Sequence, residues 1–223
     1  MNVVITGTSR GIGLELTYLA LVEGHKVAAV AREPDQSKGL QALFKEYPLQ
    51  LEIITADVSQ PDGVQKILDA VKSWGKVDVL INNAGILRKD DTRQDFIDSF
   101  QVNSIAPYEV TMALLPLLQK GDQPRVINVT SKMGSISDNT SGRYFSYRAS
   151  KAALNMITKS LAQDHNWLKS IVIHPGWVQT DMGGPQAPTS VRDSASGIWK
   201  VANRLTKSDS GHFLEYTGKP IPW

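Results

Sequence analysis

Short apolar runs rich in β-branched residues alternate with longer amphipathic stretches along the whole chain. This alternation is typical of parallel strands joined by crossover helices, because each connecting helix covers one face of the sheet. Runs such as Val79, Leu80 and Ile81 are apolar at successive positions, which indicates strands buried on both faces. We therefore predict an α/β protein with a doubly wound open sheet, since a closed eightfold barrel needs more strands and a longer chain.

The same pattern predicts seven strands and six helices in one domain over 1–223. The predicted strands are 2–6, 26–31, 50–55, 77–82, 125–130, 170–174 and 212–216. The predicted helices are 12–23, 37–46, 61–73, 94–118, 145–164 and 190–205. Ligands of such sheets bind outside the carboxyl ends of the strands, so the residues that follow each strand are the first candidates for a site.

Composition excludes several classes of protein. Lys and Arg number 24 against 22 Asp and Glu, and a formal charge of +2 is too small for a general electrostatic grip on nucleic acid. The chain has no cysteine, and its four histidines show no metal-ligand spacing, so no metal is predicted. The longest apolar stretches fall far short of the ~20 residues that cross a bilayer. No signal peptide precedes the first strand, so we expect a cytoplasmic protein without a membrane partner.

A glycine-rich turn, Thr6-Gly7-Thr8-Ser9-Arg10-Gly11-Ile12-Gly13, follows the first strand and leads into a helix. Glycines permit a tight turn and let backbone N–H groups approach a pyrophosphate at the positive end of the helix. The spacing is Gly-x3-Gly-x-Gly, which differs from the usual dinucleotide fingerprint and from the P-loop. A plain glycine turn is the alternative.

The residue after the second strand is Arg32, where NAD-binding sheets commonly carry an acid for the ribose hydroxyl. A guanidinium can bind a 2′-phosphate with two hydrogen bonds, and Arg10 in the glycine turn offers a second cation. Both features favour NADP over NAD. An ion pair of Arg32 with Glu33 is the alternative.

Three further strand ends carry polar or small residues. Asp57, followed by Val58, is able to accept a hydrogen bond from an adenine amino group or to cap the next helix. The run Asn83-Ala84-Gly85 lets the chain pass close to a nucleoside, although its asparagine is also suited to tying the loop to neighbouring strands. The loop from Pro175 to Thr180 offers backbone groups and a hydroxyl to a ligand.

Tyr147 and Lys151 are four positions apart, which places them one turn apart on one face of the predicted helix. An ammonium roughly 5 Å from a phenol favours the phenolate and would lower the phenol pKa by about two. Tyr147 would then serve as a proton donor or acceptor near neutral pH. The alternative is an ordinary amphipathic helix with an exposed lysine and a half-buried tyrosine.

These segments, in this order, resemble the short-chain dehydrogenase/reductase family across nearly the whole chain. The runs Met133-Gly134-Ser135, Tyr147–Asn155, Pro175–Val178, Thr180–Gly184 and Gly218–Trp223 are similar to the carbonyl reductase group that includes the C-factor and Sniffer proteins. The resemblance implies a Rossmann fold and a catalytic tetrad of Asn103, Ser131, Tyr147 and Lys151. Ser135 is the rival for the serine, because sixteen positions separate Ser131 from Tyr147 and the segment 138–143 must bulge outward.

The cofactor-binding set combines the strand-end residues with the family positions. It consists of Gly7, Ser9, Arg10, Gly11, Ile12, Gly13, Arg32, Asp57, Val58, Asn83, Ala84, Gly85, Tyr147, Lys151, Pro175, Gly176, Val178 and Thr180. The resemblance implies that Thr180 and the backbone of Val178 hold the nicotinamide carboxamide, and that Lys151 holds the nicotinamide ribose. It also implies that Asn103 positions a water linking Lys151 to solvent.

The function implied is NADPH-dependent reduction of a small aldehyde or ketone, with Tyr147 as the proton donor and Ser131 as a hydrogen-bond donor. A short substrate lid is expected over 182–192, and a homodimer is expected through the helices 94–118 and 145–164, which carry surplus apolar residues. Two alternatives are an NADP-binding signalling protein with little turnover and an NAD-dependent alcohol dehydrogenase.

Overall fold

A computed structural model of the protein describes residues 1–223 and confirms the doubly wound α/β fold. Seven strands form one parallel sheet in the order β3-β2-β1-β4-β5-β6-β7. The strands are β1 (Asn2–Thr6), β2 (Lys26–Ala31), β3 (Leu51–Thr55), β4 (Val79–Asn82), β5 (Arg125–Val129), β6 (Lys169–His174) and β7 (Phe213–Glu215). The strand order reverses direction between β1 and β4, so a crevice opens at their carboxyl ends.

Six helical runs cover the sheet, as predicted. The helices are α1 (Gly11–Val22), α2 (Lys38–Glu46), α3 (Pro61–Val71), α4 (Arg93–Phe100), α5 (Ala106–Leu118), α6 (Phe145–Asp164) and α7 (Val191–Arg204). The predicted helix over 94–118 is one run in which a π-helical turn, Gln101–Ile105, joins α4 to α5. None of the helices combines the length and hydropathy of a membrane span.

Apolar clusters lie on both faces of the sheet, which explains the near-continuous apolar strands. Val3 and Ile5 of β1 pack into one cluster with α1, α2 and α7, whereas Val4 packs into a second cluster with α3 and α5. Successive residues of a strand point to opposite faces, so each strand supplies side chains to both clusters. The two clusters hold the carboxyl ends of the strands in place, and the site is built there.

The fourth strand begins at Val79 rather than at the predicted position 77. Its neighbour Asp78 is buried, and its carboxylate accepts hydrogen bonds from the backbone N–H groups of Asn2 (2.6 Å) and Asp122 (2.7 Å). The aspartate side chain therefore joins the start of β4 to β1 and to the segment before β5, a long-range arrangement that the apolar run does not reveal.

Candidate active site

The glycine turn after β1 has the conformation that the spacing predicts. Gly7 and Gly11 have φ values of 71° and 57°, in the left-handed region that favours glycine. A Cβ at Gly13 would lie 2.2 Å from the Gly7 carbonyl oxygen, so only glycine fits there. No side chain caps the N-terminus of α1, and no acidic residue lies in its first turn. The turn therefore leaves the positive end of α1 free to hold a phosphate.

Thr180 lies across the crevice from this turn. A Cβ at Gly11 would lie 3.3 Å from Thr180 Cγ2. The Thr180 hydroxyl accepts a hydrogen bond from Gly183 N at 3.2 Å, and Val178, two positions before, is buried. The fold thus brings the turn predicted to hold the diphosphate into contact with Thr180, which the resemblance implies holds the nicotinamide carboxamide.

The two predicted phosphate-binding arginines differ in their surroundings. Arg10 forms an ion pair with Asp181 (Nε to Oδ2, 3.0 Å), and both side chains are about three-quarters exposed. Such an exposed pair is weak and is easily exchanged for another anion. Arg32 is exposed and makes no ion pair, so the alternative pairing with Glu33 is absent. Sequence reasoning did not select Asp181, because its contact with Arg10 depends on the fold.

The strand ends of β3 and β4 line the other side of the crevice. One carboxylate oxygen of Asp57 accepts hydrogen bonds from Ser59 N (2.9 Å) and Ser59 Oγ (2.7 Å). Gln60, rather than Asp57, is the N-cap of α3, so the capping alternative is wrong. Asn83 Nδ2 donates to Thr6 O and Gly7 O, both at 3.0 Å, as the alternative interpretation of this asparagine predicts. Asn83 therefore ties the β4 loop to the glycine turn.

The remaining predicted cofactor residues lie around the same crevice. A Cβ at Gly7 would lie 2.8 Å from Ala84 Cα, so the two loops are in close contact. Ser9 O accepts a hydrogen bond from the Ser37 hydroxyl, which also caps α2. Ile12 packs against the core, and Val58 is buried.

The loop after β6 is also fixed by its own contacts and backbone. Pro175 O accepts a hydrogen bond from Ser194 Oγ at 2.6 Å, and Gly176 has a φ of 86°.

Tyr147 and Lys151 lie in the first two turns of α6, and both are buried. Lys151 Nζ donates a hydrogen bond to Val129 O at 2.9 Å and lies 5.9 Å from the centre of the Tyr147 ring. The alternative of an exposed lysine is therefore wrong. A Cβ at Gly85 would lie 3.5 Å from Lys151 Nζ, so the β4 loop passes next to the amine.

Burial dominates the titration of this pair. It raises the pKa of Tyr147 to about 12, although a hydrogen bond with Ser131 acts in the lowering direction. Burial also lowers the pKa of Lys151 to about 7. The prediction that Lys151 lowers the Tyr147 pKa is therefore wrong for this structure. Each group loses more free energy by leaving water in its charged form than it gains from the other.

Asn103 lies in the π-helical turn between α4 and α5 and is buried. Its Oδ1 accepts from Ile86 N and its Nδ2 donates to Ile86 O, both at 2.9 Å, and Nδ2 also donates to Ser150 Oγ at 3.1 Å. The side chain thus joins the β4 loop to α6. A Cβ at Gly85 would lie 3.2 Å from Asn103 Oδ1 and 3.5 Å from Lys151 Nζ, so the amide oxygen and the amine both lie beside the β4 loop.

The two candidate serines have different partners. The Ser131 hydroxyl interacts with the Tyr147 phenol and accepts from Met133 N at 3.2 Å. The Ser135 hydroxyl donates to Pro222 O at 2.6 Å and accepts from Asp138 N at 3.1 Å. Ser135 therefore holds the last residues of the chain, and Ser131 is the serine that faces Tyr147.

The segment 138–143 is largely exposed, as the expected outward bulge requires. Arg148 of α6 binds the backbone at the end of this segment and at Met133, which precedes it. Its Nε donates to Gly142 O (3.0 Å) and Arg143 O (2.9 Å), and its Nη1 donates to Met133 O (3.3 Å). Sequence reasoning missed Arg148, although its position next to Tyr147 was a signal that it lies near the site.

The predicted lid, 182–192, is anchored to the loop after β6. Gln179 N donates to Thr189 O at 2.9 Å, and Thr189 N donates to Trp177 O at 3.1 Å. The Trp177 indole donates to Gly183 O at 2.7 Å. Trp177 and Met182 are 56% and 44% exposed, so this rim of the site presents apolar surface.

The comparisons with known proteins agree with this geometry. The family model for short chain dehydrogenases matches residues 1–190. The chain is 44% identical over 156 residues to C-signal of Myxococcus xanthus, covering 67% of this chain and 94% of that protein.

Two solved structures are similar over the whole chain. The NADPH-bound carbonyl reductase from chicken fatty liver gives a TM-score of 0.92 at 34% identity, covering 100% of this chain and 98% of the other. Carbonyl reductase Sniffer of D. melanogaster gives a TM-score of 0.94 at 32% identity, covering 100% and 99%. The resemblance stated from the motifs is thereby confirmed, and the chain belongs to the short-chain dehydrogenase family as an NAD(P)-dependent oxidoreductase.

Proposed function

We propose that the protein reduces small aldehydes or ketones with NADPH. The observation that carries the proposal is the buried group of Tyr147, Lys151 and Ser131 at the carboxyl end of β5, beside the β4 loop that contacts the glycine turn. The similar carbonyl reductases, one of them described with NADPH bound, support the same reaction class. NADPH, when bound, supplies a hydride to the carbonyl carbon.

The residues of the chain supply the proton and the orientation. We assign Tyr147 as the acid that protonates the developing alkoxide, and Ser131 as the donor of a hydrogen bond to the same oxygen. Lys151 donates a hydrogen bond to Val129 O and lies one helical turn from Tyr147. We propose that it binds the nicotinamide ribose. Because burial raises the pKa of Tyr147 to about 12, the phenol is protonated at neutral pH, which is the form that reduction needs.

A substrate panel tests the reaction. NADPH absorbance should fall when the protein is mixed with dicarbonyl, quinone and simple aldehyde compounds, and several of them should react because the rim at Trp177 and Met182 is exposed and apolar. Tight NADPH binding without turnover of any compound would contradict the reductase assignment. Strict selectivity for one compound would contradict an open pocket behind the proposed lid at 182–192.

Arg32 is predicted to set the cofactor preference. Replacing it with aspartate should lower the ratio of kcat/KM for NADPH to that for NADH by about 10²-fold, because a charge-assisted hydrogen bond to the 2′-phosphate is lost and a repulsive charge is added. Steady-state kinetics with both cofactors measure this ratio. The matched control is Arg93→Asp on α4, which carries the same charge change at an exposed position without an ion pair.

A preference for NADPH that survives Arg32→Asp would remove the arginine from the 2′-phosphate site. Higher turnover with NADH in the wild type would favour the alternative of an NAD-dependent alcohol dehydrogenase. Both outcomes leave the assignment of Tyr147 untouched, so cofactor choice and acid catalysis are tested separately.

We also propose a homodimer through α5 and α6. Not all apolar residues of these helices are available for such a face, since Leu114 of α5 is fully buried in the core. Tyr108, Met112 and Met156 remain exposed, at 43%, 37% and 68%. Sedimentation should show a species of twice the 24.5 kDa chain mass, and Met156→Asp should shift it to the monomer. A wild-type monomer at assay concentration would contradict the proposal.

The relative named C-signal favours a second candidate, an NADP-binding protein that acts through a partner. The substrate panel separates the two functions, because a signalling protein needs cofactor binding but no turnover. The cytoplasm stays the predicted compartment, and cell fractionation with a compartment marker tests it.

A further inference from the structure

The carboxylate of Asp91 binds the first turn of α6 from a distant part of the chain. Asp91 precedes α4, 55 positions before Ser146. Its Oδ1 accepts hydrogen bonds from Ser146 N at 2.9 Å and Ser146 Oγ at 2.8 Å, and its Oδ2 accepts from Phe145 N at 3.1 Å. Asp91 therefore caps the helix that carries Tyr147, whose position directly follows Ser146.

The helix has no cap of its own. Its N-cap residue is Tyr144, which makes no side-chain hydrogen bond to the first turn. Gly142, Arg143 and Tyr144 have φ values of 61°, 60° and 53°, so the chain approaches the helix in the left-handed region. This conformation is unfavourable for residues with a Cβ, and contacts from elsewhere in the fold must hold it. The three hydrogen bonds of Asp91 are such contacts.

The conformation of Asp91 suits this role. Its φ of 54° is left-handed, a region that aspartate tolerates better than most residues. The next residue, Thr92, caps α4 through a reciprocal pair of hydrogen bonds with Asp95. Two consecutive residues thus cap two helices, one that continues into the π turn of Asn103 and one that carries Tyr147.

The negative charge of the Asp91 carboxylate strengthens its binding to the N-terminus of α6. The backbone N–H groups of Ser146 and Phe145 and the Ser146 hydroxyl lower the pKa of Asp91, so its carboxylate is ionised at neutral pH. A negative charge at the N-terminus of a helix is stabilised by the helix dipole. No cation competes for this carboxylate, since it takes part in no ion pair.

We propose that Asp91 is a positioning residue for the reaction. By binding the N-terminus of α6, it fixes the positions of Tyr147 and Lys151 relative to Asn103. This inference rests on the proposed reductase function. We assign Asp91 no contact with substrate or cofactor. Its effect should therefore fall on the rate of the chemical step and leave cofactor binding nearly unchanged.

The test compares Asp91→Ala and Asp91→Asn with Asp90→Ala. Asp90 is the exposed neighbour and makes no side-chain hydrogen bond, so it matches the charge change without the cap. Carbonyl reduction gives kcat and KM for each full-length variant, and fluorescence titration gives the NADPH Kd. Hydrogen exchange of the peptide that spans Phe145 and Ser146 reports the cap without any need for turnover.

We expect Asp91→Ala to lower kcat by about 10²-fold, with an NADPH Kd within about twofold of the wild type. Exchange at Phe145 and Ser146 should be faster in Asp91→Ala. Asp91→Asn, which keeps one acceptor oxygen, should recover much of the lost rate, and Asp90→Ala should match the wild type. A wild-type kcat in Asp91→Ala would overturn the inference, as would an equal loss in Asp90→Ala or no recovery in Asp91→Asn.

Failure of the proposed reductase function and failure of the Asp91 inference give different results. A wild-type protein that reduces no carbonyl compound would overturn the proposed function, and the catalytic part of the inference with it. Normal wild-type turnover with an unaffected Asp91→Ala variant would overturn the inference alone. If Asp91→Ala does not fold, Asp91→Asn decides, because it loses one of the two acceptor oxygens. A partial loss of kcat with faster exchange at Phe145 and Ser146 and an unchanged NADPH Kd would support the inference, and wild-type kcat with wild-type exchange would overturn it.

Discussion

Replacing Tyr147 with phenylalanine is expected to lower kcat for carbonyl reduction by about 10²–10⁴-fold, because the proton donor for the developing alkoxide is lost. The NADPH Kd should be nearly unchanged. The buried ring keeps its volume and packing in the variant, and only the hydroxyl that faces Ser131 is removed. Single-turnover oxidation of bound NADPH measures the chemical step, and fluorescence titration measures cofactor affinity.

Tyr18→Phe is the matched control for this experiment. Tyr18 lies on α1, is 40% exposed and makes no side-chain hydrogen bond, so its hydroxyl should be dispensable. If Tyr147→Phe reduced a good substrate at the wild-type rate, the phenol could not be the acid. A large loss of NADPH affinity in Tyr147→Phe would instead mean that the hydroxyl acts in cofactor binding.

Gly13→Ala is expected to weaken NADPH binding by about 10²-fold, through displacement of the glycine turn by a fraction of an ångström or more. The new Cβ would lie 2.2 Å from Gly7 O and 2.5 Å from Asn83 Nδ2. Neither neighbour yields easily, because Gly7 N donates to Val30 O at 2.9 Å and Asn83 Nδ2 donates to Gly7 O at 3.0 Å. Overpacking of this kind costs about 1–3 kcal/mol and should lower Tm by about 2–12 °C.

Gly24→Ala is the control that separates the steric conflict in the glycine turn from the general cost of replacing a glycine. Gly24 has a φ of 78° and no atom within 4 Å of a Cβ placed there. Its substitution should cost about 1–2 kcal/mol through left-handed strain and leave the NADPH Kd unchanged. Wild-type affinity and Tm in Gly13→Ala would show that the turn relaxes, and would remove the steric argument for its glycine.

Local pattern was sufficient for most of the secondary structure. The strands β1 and β2 and the helix α6 have the bounds that the apolar periodicity predicts, because their side chains are buried in the regular order that each element imposes. The π turn at 101–105 was not predicted. A shift of one residue in the hydrogen-bond pattern leaves the apolar spacing of a long helix almost unchanged, so no local signal marks it.

The sequence by itself determined which residue types stand after each strand, and that order was enough to indicate the family, the glycine turn and the Tyr147–Lys151 pair. Only the tertiary structure decided that burial raises the Tyr147 pKa, that Ser135 holds the last residues of the chain, and that Asp91 caps α6. Spacing along the chain reflects local backbone geometry. Desolvation and hydrogen bonds between residues 50 or more positions apart depend on which segments the fold packs together.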